Sequence, residues 1–549
     1  MKKYIGLSII ALSMGLTSCN DFLDKLPDNR TEANTDEKVQ KLLVAAYPTH
    51  DHMLFTEYAS DNVDDMGANN PYTDRFLDQI YSWTDVTESD NQDPESYWMD
   101  LYQCIETANL ALEGIEKMGG AQTATQREMM AEALLCRAYA HFMLVNVFAM
   151  HYDANDPDAV GVTYITASEK ELNPQYERET VHENYKHIEE DLLAALPYVG
   201  DSYYFVPKYH FNRLAAYAFA CRFYLYYEKY DKVIEYADKV LGTNPKTMLR
   251  NNQYISTLSR DPDVVTLYYA DANQSDNLLL LTSYSSQGWY CGPYYSGKRY
   301  SHNAYIGTME DIGALASMWG GTYASYLAQV ARYSGTNLDA WLRWNVPYLF
   351  EYTDPVAGIG YRHTVYSAFT CDEVLTNRAE AYAMLKQYNN AYEDLTTWVR
   401  NTVIARFQNF EVTKEVVNDF MESMEYSYDD PTGLASTIKK HLHPKFAIDE
   451  EGSEQENLLQ LILAVRRYET LHLGLRWFDI KRWGIEIPRR TMDGDGTPLK
   501  ITDWLLVDDP RRAIQIPQKV REAGYQPNPR AYSGDETDGM VIPSEFLLK

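Results

Sequence analysis

Residues 217–245 read YAFACRFYLYYEKYDKVIEYADKVLGTNP. Tyr217, Ala220, Cys221 and Tyr224, then Val233, Ala237, Val240 and Pro245, set bulky and small residues at the offsets of a tetratricopeptide-type helix hairpin. Cys221 replaces the Gly of that consensus, and Val233 its Ala. Small residues at a helix crossing let two helices approach closely, and stacked hairpins then bury each other's apolar faces. Residues 375–403 repeat the pattern more loosely through Leu375, Ala379, Tyr382, Ala391, Leu395 and Trp398. The two units align at an offset of 158 residues, Tyr224 on Tyr382 and Tyr230 on Tyr388.

Helical periodicity extends outward from these units. It predicts helices over 37–54, 94–118, 125–149, 181–196, 209–228 and 231–242, with stops at Gly119-Gly120, Pro197 and Gly242. It returns at 367–385, 388–404 and 455–482. In that last helix Leu459, Ile462, Leu463, Arg466, Leu471, Leu475 and Phe478 share a buried face, with Arg467, Arg476, Asp479 and Arg482 pairing on its flanks. Between 245 and 365 the period fades into a loop-rich stretch with short strands and helices. The expected fold is mainly α: helix hairpins packed against an irregular region with few short strands. Its segments are 37–245 (helical), 246–366 (loop-rich and aromatic), 367–483 (helical again) and 484–549 (ordered coil packed on the body).

A chain of 549 residues can bury roughly 78% of its unfolded surface. It needs neither disulfides nor metals to hold a core. Acidic residues outnumber basic ones 79 to 49, a net charge of −30. That balance excludes a nucleic-acid partner, which requires clustered Lys and Arg. The N-terminus, MKKYIGLSIIALSMGLTSC, has a basic start, a twelve-residue mostly apolar run and small residues before Cys19. Leu16-Thr17-Ser18-Cys19 resembles the lipobox of bacterial lipoproteins, so residues 1–18 read as a signal peptide, Cys19 as the acylated anchor and 19–36 as a tether. Nothing downstream reaches eighteen consecutive apolar residues. Cys104, Cys136, Cys221, Cys291 and Cys371 are scattered and odd in number, as buried free thiols would be.

Catalytic signatures are missing. G-x-S-x-G, G-x-x-x-x-G-K-[ST] and G-x-G-x-x-G do not occur. His182-Glu183 with His187 has one residue too many for a zinc protease, because imidazoles at i and i+5 point apart on a helix. His441-Leu442-His443 lacks a third ligand, and Asp493-Gly494-Asp495-Gly496 lacks the closing glutamate of a calcium loop. No cofactor or metal is expected. The positive signal is aromatic: 16 of the 69 residues from Tyr284 to Tyr352 are Tyr, Trp or Phe, set among Gly, Ser and Asn. Rigid amphipathic rings beside polar neighbours suit sugars, which offer C–H faces ringed by hydroxyls. A second polar-aromatic loop runs from Asp61 to Trp83. The candidate ligand residues are Trp289, Tyr290, Tyr294, Tyr295 and Trp319, with Asn69, Asn70 and Tyr72 from the earlier loop.

Several segments together resemble the SusD/RagB family of Bacteroidetes outer-membrane lipoproteins. They are SCNDFLDKLP at 18–27; Trp98, Leu101, Tyr102, Ile105 and Asn109; AEALLCRAYAHFMLVNVF at 131–148; and Tyr185, Ile188, Asp191, Leu192, Ala195 and Pro197. DEVLTNRAEAYA at 372–383, RRYETLHLGLRWFDIKRWG at 466–484, Pro510-Arg511 and Ile516-Pro517 complete the order. Val465 and Leu473 stand where the family often carries glutamates. The resemblance implies a SusD-like fold with four tetratricopeptide-like pairs and a non-catalytic lipoprotein on the outer face of the outer membrane. It also implies a partner, a TonB-dependent transporter of the SusC/RagA type, to which captured oligosaccharide is handed. A peptide ligand, as in RagB-like members, is the alternative, and a lipid-anchored hydrolase has no sequence signature behind it.

Overall fold

The computed structural model of the chain describes residues 33–530, apart from 89–91, 172–175, 260, 293–294, 296 and 336. The signal segment, Cys19, Tyr294 and the last 19 residues, 531–549, lie outside the described residues. The internal repeat is a structural one. Helices Arg213–Tyr226 and Tyr230–Leu241 recur 158 residues later as Cys371–Met384 and Tyr388–Thr402. Even the connections correspond, since Glu228 (φ 58°) and Lys386 (φ 57°) both take the left-handed conformation that a two-helix turn of this length demands. Helix Tyr230–Leu241 packs on Cys371–Met384, so the two hairpins stack although the chain between them is long. Helices Pro94–Lys117, Ala124–Phe148 and Val181–Ala195 form a second packed series. Thr180 and Glu183 close a reciprocal capping box at the start of the last of these. Glu183 therefore serves as a cap, consistent with reading His182-Glu183 as a helix start.

Four boundaries differ from the periodic reading, each for a local reason. The 37–54 helix is two helices, Asp36–Val44 and Met53–Ala59, with Pro48 between them. The 455–482 helix breaks into Glu454–Thr470 and Arg476–Trp483. His472 (φ 69°) and Gly474 (φ 70°) make that break, and a Cβ at Gly474 would stand 2.2 Å from Thr56 Oγ1. The 367–385 helix begins only at Cys371, because Ile359–Thr370 is a twelve-residue strand. The 484–549 tail is not all coil: Ile487–Met492 and Pro498–Leu505 form an antiparallel hairpin, and Gln518–Glu522 is a short helix. The Asp493–Gly496 run is the turn of that hairpin, where Asp493 Oδ1 accepts from the backbone N–H groups of Asp495 and Thr497, both at 2.9 Å.

Three sheets hold the irregular region. One runs in the order Tyr300–Ser301, Asp64–Asp65, Ile487–Met492, Pro498–Leu505, and so ties three distant segments together. A second is Asn277–Tyr284, Ile359–Thr370, Leu349–Asp354, all antiparallel. The third pairs Val330–Gly335 with Leu338–Arg343. All five described cysteines are buried free thiols.

Helix Glu454–Thr470 is buried on nearly every side, so its arginines are not on solvated flanks. Arg466 donates to both oxygens of Asp479, at 3.2 and 2.9 Å. Arg476 grips Asp61 through two 2.8 Å bonds, and Arg467 donates to Asn62 Oδ1 and the Asp61 carbonyl while lying 3.4 Å from Glu310. Lys440 and Arg490 also reach Glu310, at 2.6 and 2.7 Å. Burial alone would raise the Asp61 and Glu310 carboxyls. The guanidiniums of Arg467 and Arg476 outweigh it on Asp61, and Arg490, Lys440 and Arg467 outweigh it on Glu310, so both sit far below the ordinary range. A folded-state value below the unfolded one stabilises fully above about pH 5 and is lost as pH falls from there. Urea midpoints are expected to drop steeply below about pH 4; midpoints unchanged down to about pH 3 would contradict this network.

Candidate functional site

The two polar-aromatic stretches meet. Asp64 pairs with Ser301 and Asp65 with Tyr300 in an antiparallel ladder. Arg299 clamps the Asp65 carboxylate with two 2.8 Å bonds, and its backbone N–H donates to the Tyr72 carbonyl at 2.9 Å. Tyr300 donates to Asp78 at 2.5 Å and Tyr290 to Asp74 at 3.1 Å. Besides the ladder, four hydrogen-bonded contacts thus stitch the 61–83 loop to residues 290–300.

Trp289 and Tyr290 stand half-buried at the end of a one-turn helix, Gln287–Tyr290. Gln287 anchors it from below by donating to the His472 carbonyl at 2.7 Å. Gly288 lets it press on the neighbouring chain, since a Cβ there would lie 2.4 Å from the Pro347 carbonyl oxygen. That contact sets Tyr348 beside Trp289, ring centroids 5.4 Å apart. Each of the two rings also carries a cation: the Arg362 guanidinium lies 4.7 Å from the Trp289 centroid, and the Lys298 ammonium 4.8 Å from that of Tyr290. Burial lowers the Lys298 pKa; Asp74 acts to raise it and the Arg362 charge to lower it further.

Of the other predicted residues, Tyr72 is 61% exposed at the rim. Asn69 donates its side-chain amide to the Asp493 carbonyl, which pins the loop to the C-terminal hairpin. Asn70 is buried, with neither amide atom hydrogen-bonded, next to the backbone of Gly297. Two expectations are corrected. Trp319 is only 5% exposed; its indole N–H donates to Ser325 at 2.9 Å and its ring packs on Tyr326 and Trp398. Tyr295 is 7% exposed, and its hydroxyl donates to Ser301 and accepts from the Lys298 N–H, both at 3.1 Å. Both rings fill core in place of regular secondary structure, and neither offers a face to solvent. Lys298, Arg362 and Tyr348 join the site without having been singled out. Arg362 reaches it from a strand far along the chain, where sequence spacing holds no signal.

A cavity of about 280 Å³ opens elsewhere, between residues 80–95 and 511–530. It shares none of the predicted residues, and its cations are already engaged: Arg521 and Arg530 with Asp85, Lys519 with Glu95. Among the described residues no group of three or more His, Cys, Asp or Glu side chains could hold a metal ion. No described helix is long and apolar enough to cross a membrane.

Comparison with known proteins bears on this geometry. Residues 21–225 match the SusD-like family model described as starch-binding and associating with the outer membrane. The chain matches no curated protein sequence. Its fold is similar to that of a SusD-like carbohydrate-binding protein from Bacteroides vulgatus, with TM-score 0.57 and 16% identity over 89% of this chain and 96% of that one. A SusD homolog from Bacteroides thetaiotaomicron is similar too, with TM-score 0.58 and 14% identity over 91% and 99%. So is a SusD-like protein from Bacteroides fragilis, with TM-score 0.56 and 18% identity over 92% and 99%.

Proposed function

We propose that this chain is a SusD-like protein that binds oligosaccharide at the cell surface and hands it to a TonB-dependent transporter of the SusC type. It acts without catalysis, held in the outer membrane by acylated Cys19 and facing the exterior. The observation that carries the binding reading is the pair Trp289–Tyr290. Two adjacent rings, rigidly seated yet half-open, stand where two polar loops are locked together. Such a surface gives affinity through stacking and direction through the polar rim. Tyr72 extends it from the earlier loop. The family model's wording, starch-binding and outer-membrane association, supports the same reading.

Anchoring and partnership are tested together. Cys19→Ser is expected to move the chain from the membrane fraction to the soluble one, because anchoring rests on acyl chains at about 0.8 kcal/mol per buried CH₂. The wild-type chain, affinity-purified from detergent-solubilised outer membranes, is expected to bring one large TonB-dependent barrel with it. A Cys19→Ser chain that stayed in the membrane, or a wild-type chain that purified alone, would count against the anchor or the partnership respectively.

A further inference from the structure

Among the described residues, neither cation at the site is in ion-pair contact with a carboxylate, although the Asp74 charge acts on Lys298. Lys298 and Arg362 sit on the rings of adjacent residues, and neither forms an ion pair. The neighbouring cations behave differently: Arg299 is clamped on Asp65, and Arg75 lies 3.0 Å from Glu88. In a chain with 79 acidic residues against 49 basic ones, a carboxylate partner is easily supplied. Two half-buried cations that repel each other and form no ion pair gain free energy when an anion joins them.

From this juxtaposition, and resting on the glycan-binding reading above, we infer that the ligand is an acidic glycan, bearing a carboxylate or sulfate on the sugar that meets Trp289 and Tyr290. The chemistry of each group fits. A guanidinium lying on an indole keeps its N–H edge free, and that edge donates in pairs to a carboxylate or sulfate. The ammonium adds a point charge with rotatable donors. Both stay aimed because the rings beneath hold them by cation–π attraction, so little side-chain freedom is left to lose on binding. Asp74, which accepts from Tyr290 at 3.1 Å, fixes the Tyr290 ring. Its charge also acts on Lys298, and Arg362 has no carboxylate in ion-pair contact among the described residues.

The test is affinity electrophoresis of the full mature chain through gels containing polygalacturonate and alginate (carboxylates), carrageenan (sulfate), and starch, xylan and galactan (neutral). At least one acidic polymer is expected to retard the chain ten-fold or more strongly, by apparent Kd, than any neutral one. Which acidic polymer does so separates carboxylate from sulfate. Lys298→Gln and Arg362→Gln are each expected to reduce that preference several-fold, and melting curves control for folding. Added salt is expected to weaken retardation by the acidic polymer. Retardation by neutral polymers alone would overturn the acidic-ligand inference and leave the glycan-binding reading standing. Retardation by none of the six would overturn both.

Discussion

Arg467→Ala is expected to lower the unfolding free energy by about 3–5 kcal/mol. The guanidinium is buried, donates to Asn62 and the Asp61 carbonyl, and stands beside the Asp61 and Glu310 carboxylates. Taking it away strands charge in a dry interior, where the desolvation cost of Asp61 and Glu310 is only partly offset by Arg476, Lys440 and Arg490. The loss should be strongly non-additive. A double variant, Arg467→Met with Asp61→Asn, is expected to recover part of it, because neutral groups need less compensation. Lys41→Ala, which breaks a pair whose side chains are 73% and 76% exposed, should change stability by well under 1 kcal/mol. Urea unfolding of the four chains checks the ordering. An Arg467→Ala loss no larger than that of Lys41→Ala would mean the buried network does not hold the molecule together. Asp61 is also the root of the 61–83 loop, so glycan affinity should fall together with stability in Arg467→Ala.

Trp289→Ala is expected to weaken glycan binding about thirty-fold, the roughly 2 kcal/mol of an interface hot spot. The ring is half-open, so its removal should leave the melting temperature nearly unchanged. That separation of effects distinguishes a ligand platform from a core residue. It also sets Trp289 apart from Trp319, whose buried indole and bond to Ser325 make it a matter of stability. Titration calorimetry with the best-bound glycan reads the first effect, and scanning calorimetry the second. Equal affinity in Trp289→Ala would move the binding surface away from the 287–290 turn.

Much of this was legible in the residues. Helices that bury one face, such as Tyr230–Leu241 and Tyr388–Thr402, leave a 3.6-residue period, and the 158-residue offset of the bulky and small positions in the sequence is the offset of the hairpins' first residues in the structure. The Ile487–Met492 strand escaped because Arg489 and Arg490 occupy two of its buried positions. Arg489 is satisfied by the carbonyls of Tyr58, Ala59, Ser60 and Tyr81, and Arg490 by Asp64 and Glu310. Hydrophobic patterning cannot see a buried charge that distant groups compensate. Aromatic density singled out the 284–352 stretch but could not separate rings that fill core from rings that face solvent. Trp289 and Trp319 lie in the same dense stretch and differ only in what the rest of the chain places over them. Arg362 was beyond reach because the register pairing Tyr284 with His363 is a long-range fact, carried by no local spacing.

The claim that the Trp289–Tyr290 surface captures carbohydrate is tested most directly by a glycan array probed with the full mature chain alongside Trp289→Ala. Wild type is expected to bind a restricted set of glycans, and the Trp289→Ala signal on those same spots is expected to fall to background. Binding that Trp289→Ala retains in full, or a wild-type chain that binds no glycan on the array, would contradict it.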